Sequence, residues 1–236
     1  PEIIIHTAAA SDVDWCENNK DEAYRINIEG TKNVIELSKE IGAKLIFISS
    51  NAVFDGESAP YDDDDKTSPI NYYGQLKALG EIYVKKAQID YAIVRPILMY
   101  GWNNETNRKN PVTWQLEKML QNQSLQIVDD IYCNPLYAPE CAKVIWKIIE
   151  ENKSGTFNVA GINRLSRYEF ALEIAEVFGF DKNLIKPVKS EIFKNLAARP
   201  IDTTFKTHRM EKELNIIPVS TVHGLNYMKE IKMATV

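Results

Sequence analysis

The first part of the chain alternates continuous apolar runs with stretches whose apolar residues recur at helical spacing. Three such runs predict strands that are covered on both faces of a sheet: Glu2–His6, Lys44–Ser49 and Tyr91–Arg95. Between the first two, the helical period runs from Asn27 to Ile41, and Gly42 suits the left-handed residue that ends a helix. This alternation predicts an α/β fold with a doubly wound parallel sheet. Ligands of such sheets bind beyond the carboxyl ends of the strands.

The pattern becomes less regular after Tyr100. Short strands are predicted at Gln126–Val128 and Thr156–Val159. The predicted helices are Pro139–Glu151, one from the Ser166–Glu169 capping box to Gly179, Thr207–Leu214, and one from near Thr221. We therefore interpret residues 1–100 as the parallel-sheet domain and residues 101–236 as mainly a smaller α+β lobe, with some elements that return to the first domain.

Composition and charge narrow the possible functions. The formal net charge of −5 provides no electrostatic basis for binding nucleic acid. The acidic run Asp62–Asp65 predicts a solvated loop. No apolar run approaches the roughly 20 residues that span a bilayer, and no signal peptide is visible. The spacing of Cys16, Cys133 and Cys141 predicts reduced thiols and no metal site. We expect a cytoplasmic protein with no membrane partner.

Tyr73 and Lys77 form the most informative pair of side chains. Residues at i and i+4 share one face of a helix, and a lysine cation beside a tyrosine is expected to lower the pKa of the phenol. Ser50 follows a predicted strand, where its hydroxyl could hold a carbonyl oxygen. Each residue also has a structural interpretation: Tyr73 as a half-buried helix aromatic, Lys77 as a solvated charge, and Ser50 as a cap on backbone groups.

Ordered segments along nearly the whole chain carry a resemblance to a known family. They are Asn27-Ile-Glu-Gly-Thr31, Phe47-Ile-Ser-Ser50, Pro69-Ile-Asn-Tyr-Tyr-Gly-Gln-Leu-Lys77, Val128-Asp-Asp130 and Ala198-Arg-Pro200. In these segments the chain resembles the extended short-chain dehydrogenase/reductases, and within them the dTDP-4-dehydrorhamnose reductase branch. The resemblance implies a Rossmann-like sheet, NADP or NAD as cofactor, and a nucleotide-sugar substrate. It also admits a homodimer.

The resemblance assigns roles to individual residues of this chain. Ser50, Tyr73 and Lys77 would be catalytic, with Tyr73 as the general acid that protonates a sugar ketone during hydride transfer. The cofactor would contact Ala8, Ala9, Ala10, Asn27, Ser49, Pro96, Tyr73 and Lys77. The substrate would contact Asn51, Ala52, Val53, Phe54 and Arg199. Three of these assignments have structural alternatives: an N-cap for Asn27, helix packing against Ala8–Ala10, and a surface ion pair for Arg199.

The chain departs from the family in two respects. None of its 10 glycines forms the Gly-x-Gly turn that holds a pyrophosphate, and its first strand resembles the fourth strand of the family. We therefore expect an N-terminally truncated sheet, weak or no binding of NAD(P) by these 236 residues alone, and an open edge on the first strand. The choice between NAD and NADP stays open for the same reason. Leu98, Ile131, Cys133 and Leu136 differ from the usual residues of the branch, so the sugar also stays open.

Three functions are compatible with these features. The first is an NAD(P)-dependent reductase of a 4-keto nucleotide sugar. The second is a sugar-nucleotide epimerase or dehydratase, which would recycle its cofactor. The third is a non-catalytic regulatory subunit, because the methionine adenosyltransferase regulatory subunit resembles the chain around Ser50 and Arg95. Fold alone does not choose among them.

Overall fold

The computed structural model describes residues 1–104, 106, 108–193 and 196–234. The strands are β1 (Ile3–His6), β2 (Lys44–Ile48), β3 (Tyr91–Pro96), β4 (Met99–Tyr100), β5 (Leu125–Val128), β6 (Tyr132–Cys133), β7 (Leu136–Tyr137), β8 (Gly155–Val159), β9 (Leu165–Ser166) and β10 (Ile185–Val188). The α-helices are α1 (Val13–Asn18), α2 (Lys20–Tyr24), α3 (Gly30–Ile41), α4 (Tyr72–Lys86), α5 (Pro111–Leu120), α6 (Ala138–Glu150), α7 (Arg167–Phe178), α8 (His208–Leu214) and α9 (Thr221–Ala234). A π-helix spans Arg25–Glu29, and short 3-10 turns span Asn51–Val53, Lys182–Leu184 and Ser190–Ile192.

A parallel sheet of four strands, in the order β1-β2-β3-β8, forms the centre of the molecule. The predicted α/β class with a parallel Rossmann-like sheet is thereby confirmed. Since the strands are parallel, their carboxyl ends meet at one edge, where the chain leaves β1 at Thr7 and β2 at Ser49. Among the described strands β1 pairs only with β2.

Helical structure before β2 begins earlier than the sequence indicated. The Asp12 side chain caps α1 by accepting a hydrogen bond of 3.0 Å from the Trp15 backbone N–H. The π-helix joins α2 to α3 without a break. Asn27 lies inside the π-helix, so the alternative that Asn27 is an N-cap is wrong. Gly42 ends α3 with φ of 67°, as predicted. The polar residues Asn18–Lys20 interrupt the spacing of apolar residues, so the sequence pattern did not indicate these early helices.

The second part of the chain contains the predicted elements and several more. The Ser166–Glu169 capping box opens α7, and Gly179 ends it with φ of 80°, both as predicted. Helix α5 was missed, although Asn110 forms a capping box and Pro111 occupies the first turn. Strand β8 pairs with β3 in the central sheet. The proposed boundary at residue 100 stays a prediction.

The acidic run does not form a uniformly solvated loop. Asp63 is buried, and its Oδ1 accepts a hydrogen bond of 2.5 Å from the Asn158 backbone N–H. Burial raises the pKa of this carboxyl group. The expectation is therefore wrong for Asp63, whereas the Asp64 side chain is 83% exposed. The buried aspartate ties the loop before α4 to the end of β8.

The described residues form separate apolar clusters. One combines side chains of β2, β3 and β8 with the loop around Phe54, and another lies among α5, α7 and α9. No helix in the described ranges has the length and apolarity needed to cross a membrane. In the same ranges no group of three His, Cys, Asp or Glu side chains is arranged to hold a metal ion.

Candidate active site

A cavity of about 410 Å³ lies beyond the carboxyl ends of the strands. Its lining includes five of the residues that the sequence indicated: Ser50, Asn51, Ala52, Tyr73 and Arg199. The structure therefore brings together residues from the turn after β2, from α4 and from the C-terminal part of the chain. The other walls are formed by Ser11, Val13, Asn71, Leu98, Ile131, Arg167, Pro200 and Thr203.

The start of α4 determines where Tyr73 lies. Asn71 is the N-cap, and its Oδ1 accepts a hydrogen bond of 2.8 Å from the Gly74 N–H. Glu17 accepts a second bond, of 3.0 Å, from the Tyr72 N–H. Gly74 packs so closely on the preceding loop that a Cβ there would lie 2.1 Å from the Ala52 carbonyl oxygen. The absence of a side chain at Gly74 thus brings Tyr73 close to Ser50.

We expect Gly74→Ala to lower the free energy of unfolding by about 1–3 kcal/mol, since the added methyl group collides with backbone. The first turn of α4 would also move away from Ser50. Gly30→Ala is the matched control, because a Cβ at Gly30 meets nothing within 4 Å in α3. The control should be stabilised by about 0.5–1 kcal/mol. Urea unfolding of both variants measures the difference, and equal stabilities would contradict this account of the close approach.

Ser50 has its hydroxyl at the start of the 3-10 turn that follows β2. Its Oγ accepts a hydrogen bond of 3.2 Å from the Ala52 N–H. The hydroxyl donates only a long bond of 3.4 Å, to Asn51 Oδ1. It also lies against the Tyr73 hydroxyl closely enough to lower the pKa of the phenol. Ser50 therefore caps backbone, as the structural alternative states, and still presents its proton to the cavity.

Burial controls the pKa of Tyr73. It raises that pKa to about 12, against a smaller lowering by the Ser50 hydroxyl. The Lys77 Nζ lies 5.9 Å from the centre of the Tyr73 ring. Our expectation that the lysine lowers the pKa of Tyr73 is therefore wrong for this structure. Tyr73 is protonated at neutral pH.

Lys77 is buried below Tyr73, on the same face of α4. Its Nζ donates a hydrogen bond of 2.9 Å to the Ile48 carbonyl oxygen, at the end of β2. Burial lowers the pKa of Lys77 to about 8, although the charges of Cys16 and Glu81 oppose the change. The structural alternative of a solvated charge is wrong, since the side chain is 6% exposed.

The depressed pKa of Lys77 predicts how stability varies with pH. Between about pH 8 and 10.5 the unfolded chain holds a proton on Lys77 that the folded chain lacks. The free energy of unfolding should therefore rise with pH through this window, and this contribution is lost as the pH falls through 8. Denaturant unfolding across the window measures the slope. Lys77→Met should remove it; an unchanged slope in the variant would contradict the assignment.

The proposed cofactor residues fall into different environments. Ala8 is exposed and Ala9 and Ala10 are partly buried beyond β1. Asn27 is buried, with Oδ1 accepting from the Ala10 N–H at 3.0 Å and Nδ2 donating to the Ala10 carbonyl at 3.1 Å. Pro96 is buried at the end of β3. Asn27 therefore shapes the segment after β1, and its side chain is largely engaged there.

Ser49 belongs to a buried polar cluster and not to the cavity wall. Its hydroxyl donates a hydrogen bond of 2.6 Å to Glu81 Oε1. Arg95 holds the same carboxylate through two bonds, Nε to Oε1 at 2.8 Å and Nη2 to Oε2 at 2.7 Å. Burial alone would raise the pKa of Glu81, but hydrogen bonds and charge from Arg95 hold it below its ordinary value. The Ser49 backbone N–H donates to the Val94 carbonyl at 2.7 Å, so the hydroxyl proton and the N–H of Ser49 are both engaged.

Val53 and Phe54 do not reach the cavity. Both are fully buried in the main apolar cluster. The Phe54 ring stacks on Tyr61, with centroids 4.1 Å apart, and packs edge-on against Phe205. Their prediction as substrate contacts is therefore corrected: they support the wall that Asn51 and Ala52 form.

Arg199 lies at the cavity but is already paired. Its Nη2 donates to Asp14 Oδ2 at 2.8 Å, and its Nη1 donates to the Ala197 carbonyl at 2.9 Å. The ion-pair alternative for Arg199 thus describes its contacts. Arg167, which sequence analysis missed, lines the same cavity, and its guanidinium has no hydrogen-bond or ion-pair partner among the described residues. The sequence signal that could have identified Arg167 is its position directly after Ser166, the N-cap of α7.

A second cavity, of about 330 Å³, adjoins the first and shares Ile131 and Arg199 with it. Its other lining is mostly apolar and comes from the C-terminal part of the chain: Val128, Ser190, Glu191, Phe193, Leu196, Ala197 and Ala198. A ligand that enters both cavities would therefore cross from polar to apolar surroundings at Arg199.

Comparison with known proteins gives consistent relatives. Residues 1–231 match the family described as RmlD substrate binding domain. The spore coat polysaccharide biosynthesis protein SpsK of Bacillus subtilis is 32% identical over 92% of this chain and 75% of its own length. Methionine adenosyltransferase 2 subunit beta of Bos taurus is 30% identical over 89% of this chain and 64% of its own length. A crystal structure of dTDP-4-dehydrorhamnose reductase from Bacillus anthracis in complex with NADP has a TM-score of 0.92 at 33% identity, over 98% of this chain and 81% of that one.

Proposed function

This chain belongs to the RmlD substrate binding domain family, and from that premise we propose that it functions as an NAD(P)-dependent reductase of a 4-keto nucleotide sugar. The observation that carries the proposal is that Ser50 and Tyr73 line the same cavity, with the Ser50 hydroxyl near enough to lower the pKa of Tyr73 and with Lys77 one helical turn away. The resemblance to a dTDP-4-dehydrorhamnose reductase and to a polysaccharide biosynthesis protein supports the same assignment.

The donor set around Lys77 fits the ribose of a nicotinamide cofactor. Within the described residues its buried ammonium gives one of its N–H groups to the Ile48 carbonyl, and the others are available to ribose hydroxyls. In its reduced form, as NADPH or NADH, the bound cofactor would supply the hydride. The segment Ala8–Ala10, held by Asn27, would lie beside it. For the pyrophosphate, these 236 residues offer no Gly-x-Gly turn.

Tyr73 is suited to act as the general acid. Because burial keeps its pKa near 12, it carries a proton on Oη at the cavity wall. In our proposal that proton passes to the oxygen of the sugar ketone as charge develops there. Ser50 accepts from the Ala52 N–H, and its own proton, engaged only in the long bond to Asn51 Oδ1, would hydrogen-bond the same oxygen.

The two adjoining cavities suit an elongated ligand. We place the ketone beside Tyr73, the phosphates at the junction near Arg199 and Arg167, and the base in the apolar second cavity. Arg167 would bind the diphosphate, since a guanidinium holds phosphate oxygens in a planar fork. In this placement Arg199, engaged by Asp14, mainly shapes the junction.

We expect Arg167→Gln to raise KM for the nucleotide sugar by about 10–100-fold, the usual worth of a hydrogen bond to a charged group, with a smaller change in kcat. Arg164→Gln is the control, because Arg164 is engaged with Asp202 at 2.7 Å and stacks on the Tyr132 ring. Steady-state kinetics of both variants measure the difference. Equal KM values in the two variants would exclude Arg167 as the diphosphate ligand.

A regulatory function is the second candidate. It is favoured by the 30% identity to methionine adenosyltransferase 2 subunit beta, which is close to the 33% identity to the dTDP-4-dehydrorhamnose reductase of Bacillus anthracis. In that case the cavity would bind a nucleotide without turning it over. An epimerase or dehydratase on the same fold would turn over sugar without net use of cofactor.

The decisive assay supplies the full-length protein with NADPH and dTDP-4-dehydrorhamnose. A reductase oxidises one NADPH for each sugar reduced. Conversion of nucleotide sugars without net NADPH oxidation would identify the epimerase or dehydratase. The absence of any turnover, together with altered kinetics of a methionine adenosyltransferase catalytic subunit on mixing, would identify the regulatory function and overturn the proposal.

A further inference from the structure

The segment Ala197–Pro200 lines both cavities and is fastened to the first part of the chain. Asp14 provides one anchor: its Oδ1 accepts from the Ala197 N–H at 2.9 Å, and its Oδ2 accepts from Arg199 at 2.8 Å. Asn71 provides another, since its Nδ2 donates to the Ala198 carbonyl at 2.9 Å. A ligand in either cavity would therefore contact a segment whose backbone is held at these two points.

Asn71 also holds the helix that carries Tyr73. Its side chain is 3% exposed, and its Oδ1 caps α4 at the Gly74 N–H. One side of the amide thus faces an N–H and the other faces a carbonyl oxygen. Reversing the amide would set donor against donor and acceptor against acceptor, so its orientation is determined. The segment and the helix consequently share one rigid side chain.

We propose that Asn71 is a positioning residue. Through its two hydrogen bonds, a change in the position of segment Ala197–Pro200 would change the position of the helix turn that holds Tyr73. Gly74 packs closely against the Ala52 carbonyl, so this turn of α4 cannot shift without moving the loop after Ser50. A shift of the turn would therefore change the distance between Tyr73 and Ser50. Asn71 does not touch the reacting atoms in this account. Its catalytic consequence rests on the proposed reductase function, whereas the coupling itself does not.

Asparagine is required because the site needs both a donor and an acceptor. An aspartate at this position would keep the acceptor for the Gly74 N–H and is an equally good N-cap. It would lose the donor to Ala198 and set two oxygens against each other. Asn71→Asp therefore uncouples the segment while it preserves the cap, and Asp14→Ala loosens the segment without touching α4.

Amide hydrogen exchange of the whole chain, without ligand, tests the coupling. Asp14→Ala should speed exchange at Ala197 and also, by about fivefold, at Gly74, as expected when one hydrogen bond is weakened. In the Asn71→Asp background, Asp14→Ala should still speed exchange at Ala197 but leave Gly74 unchanged. If Gly74 does not respond to Asp14→Ala, or responds equally in both backgrounds, the inference is overturned.

Kinetics of the full-length protein test the catalytic consequence. Asn71→Asp should lower kcat at least tenfold while a cooperative unfolding transition shows that the chain still folds, and Asp14→Ala should raise KM and lower kcat by a smaller factor. An unchanged kcat in Asn71→Asp would contradict the transmission to Tyr73. Failure of the parent itself to reduce the keto-sugar would instead reject the proposed function, and the exchange experiment would still decide the coupling.

Discussion

Replacing Tyr73 with phenylalanine is expected to lower the rate of keto-sugar reduction by about 10²–10⁴-fold, the usual contribution of a positioned general acid. The change removes only the oxygen that carries the proton. The ring would stay in its apolar cluster with Cys16, Ile28 and Leu76, so folding should be nearly unaffected. The measurement is NADPH oxidation by the full-length protein, together with its urea unfolding curve.

Tyr72→Phe provides the matched control for this prediction. Tyr72 is the preceding residue of α4, does not line the cavity, and lies under the Lys20 ammonium. Its variant should keep the parental rate. If Tyr73→Phe reduces the sugar as fast as Tyr72→Phe, Tyr73 is not the proton donor.

The largest effect on stability is expected from Arg95→Met, which should lower the free energy of unfolding by about 3–5 kcal/mol. Arg95 and Glu81 are 1% and 2% exposed, respectively. Without Arg95 the Glu81 carboxylate would stay buried with Ser49 and the more distant Lys85, 3.6 Å away, as partners. The cost arises from an uncompensated buried charge.

The double variant Glu81→Leu/Arg95→Met separates this cost from a simple loss of packing. It removes both charges and restores apolar volume, so it should be markedly more stable than Arg95→Met alone. Denaturant unfolding of the parent and both variants tests the prediction. A double variant as unstable as the single one would show that shape, and not charge, makes the cluster important.

Local patterns made much of the fold predictable. The positions of β2 and β3 follow from short apolar runs, and Gly42 and Gly179 end their helices because each takes a positive φ. The capping box at Ser166 needs only residues three apart. Tyr73 and Lys77 share a face of α4 for the same reason: their relation depends on helix geometry alone.

The remaining features depend on contacts between distant parts of the chain. Phe54 lies close in sequence to the cavity residues Asn51 and Ala52, yet its ring packs against Tyr61 and Phe205 in the core. Arg199 is engaged because Asp14, 185 residues away in sequence, lies beside it. Asp63 is buried, and its carboxylate accepts a hydrogen bond from the Asn158 N–H, which is distant in sequence. The double role of Asn71 likewise appears only when Ala198 lies beside α4.

The pairing of β8 with β3 has a consequence for synthesis of the chain. Ala92 of β3 pairs with Gly155 of β8, so the far edge of β3 has no partner until a further lobe has left the ribosome. Contacts of such high sequence separation make folding slow. A nascent chain arrested before β8 would display the apolar strand Tyr91–Pro96 along an unpaired edge, where chaperones and other nascent chains compete for it. The strand that completes the sheet beside β3 therefore also covers an edge that would otherwise stay open to other chains during translation.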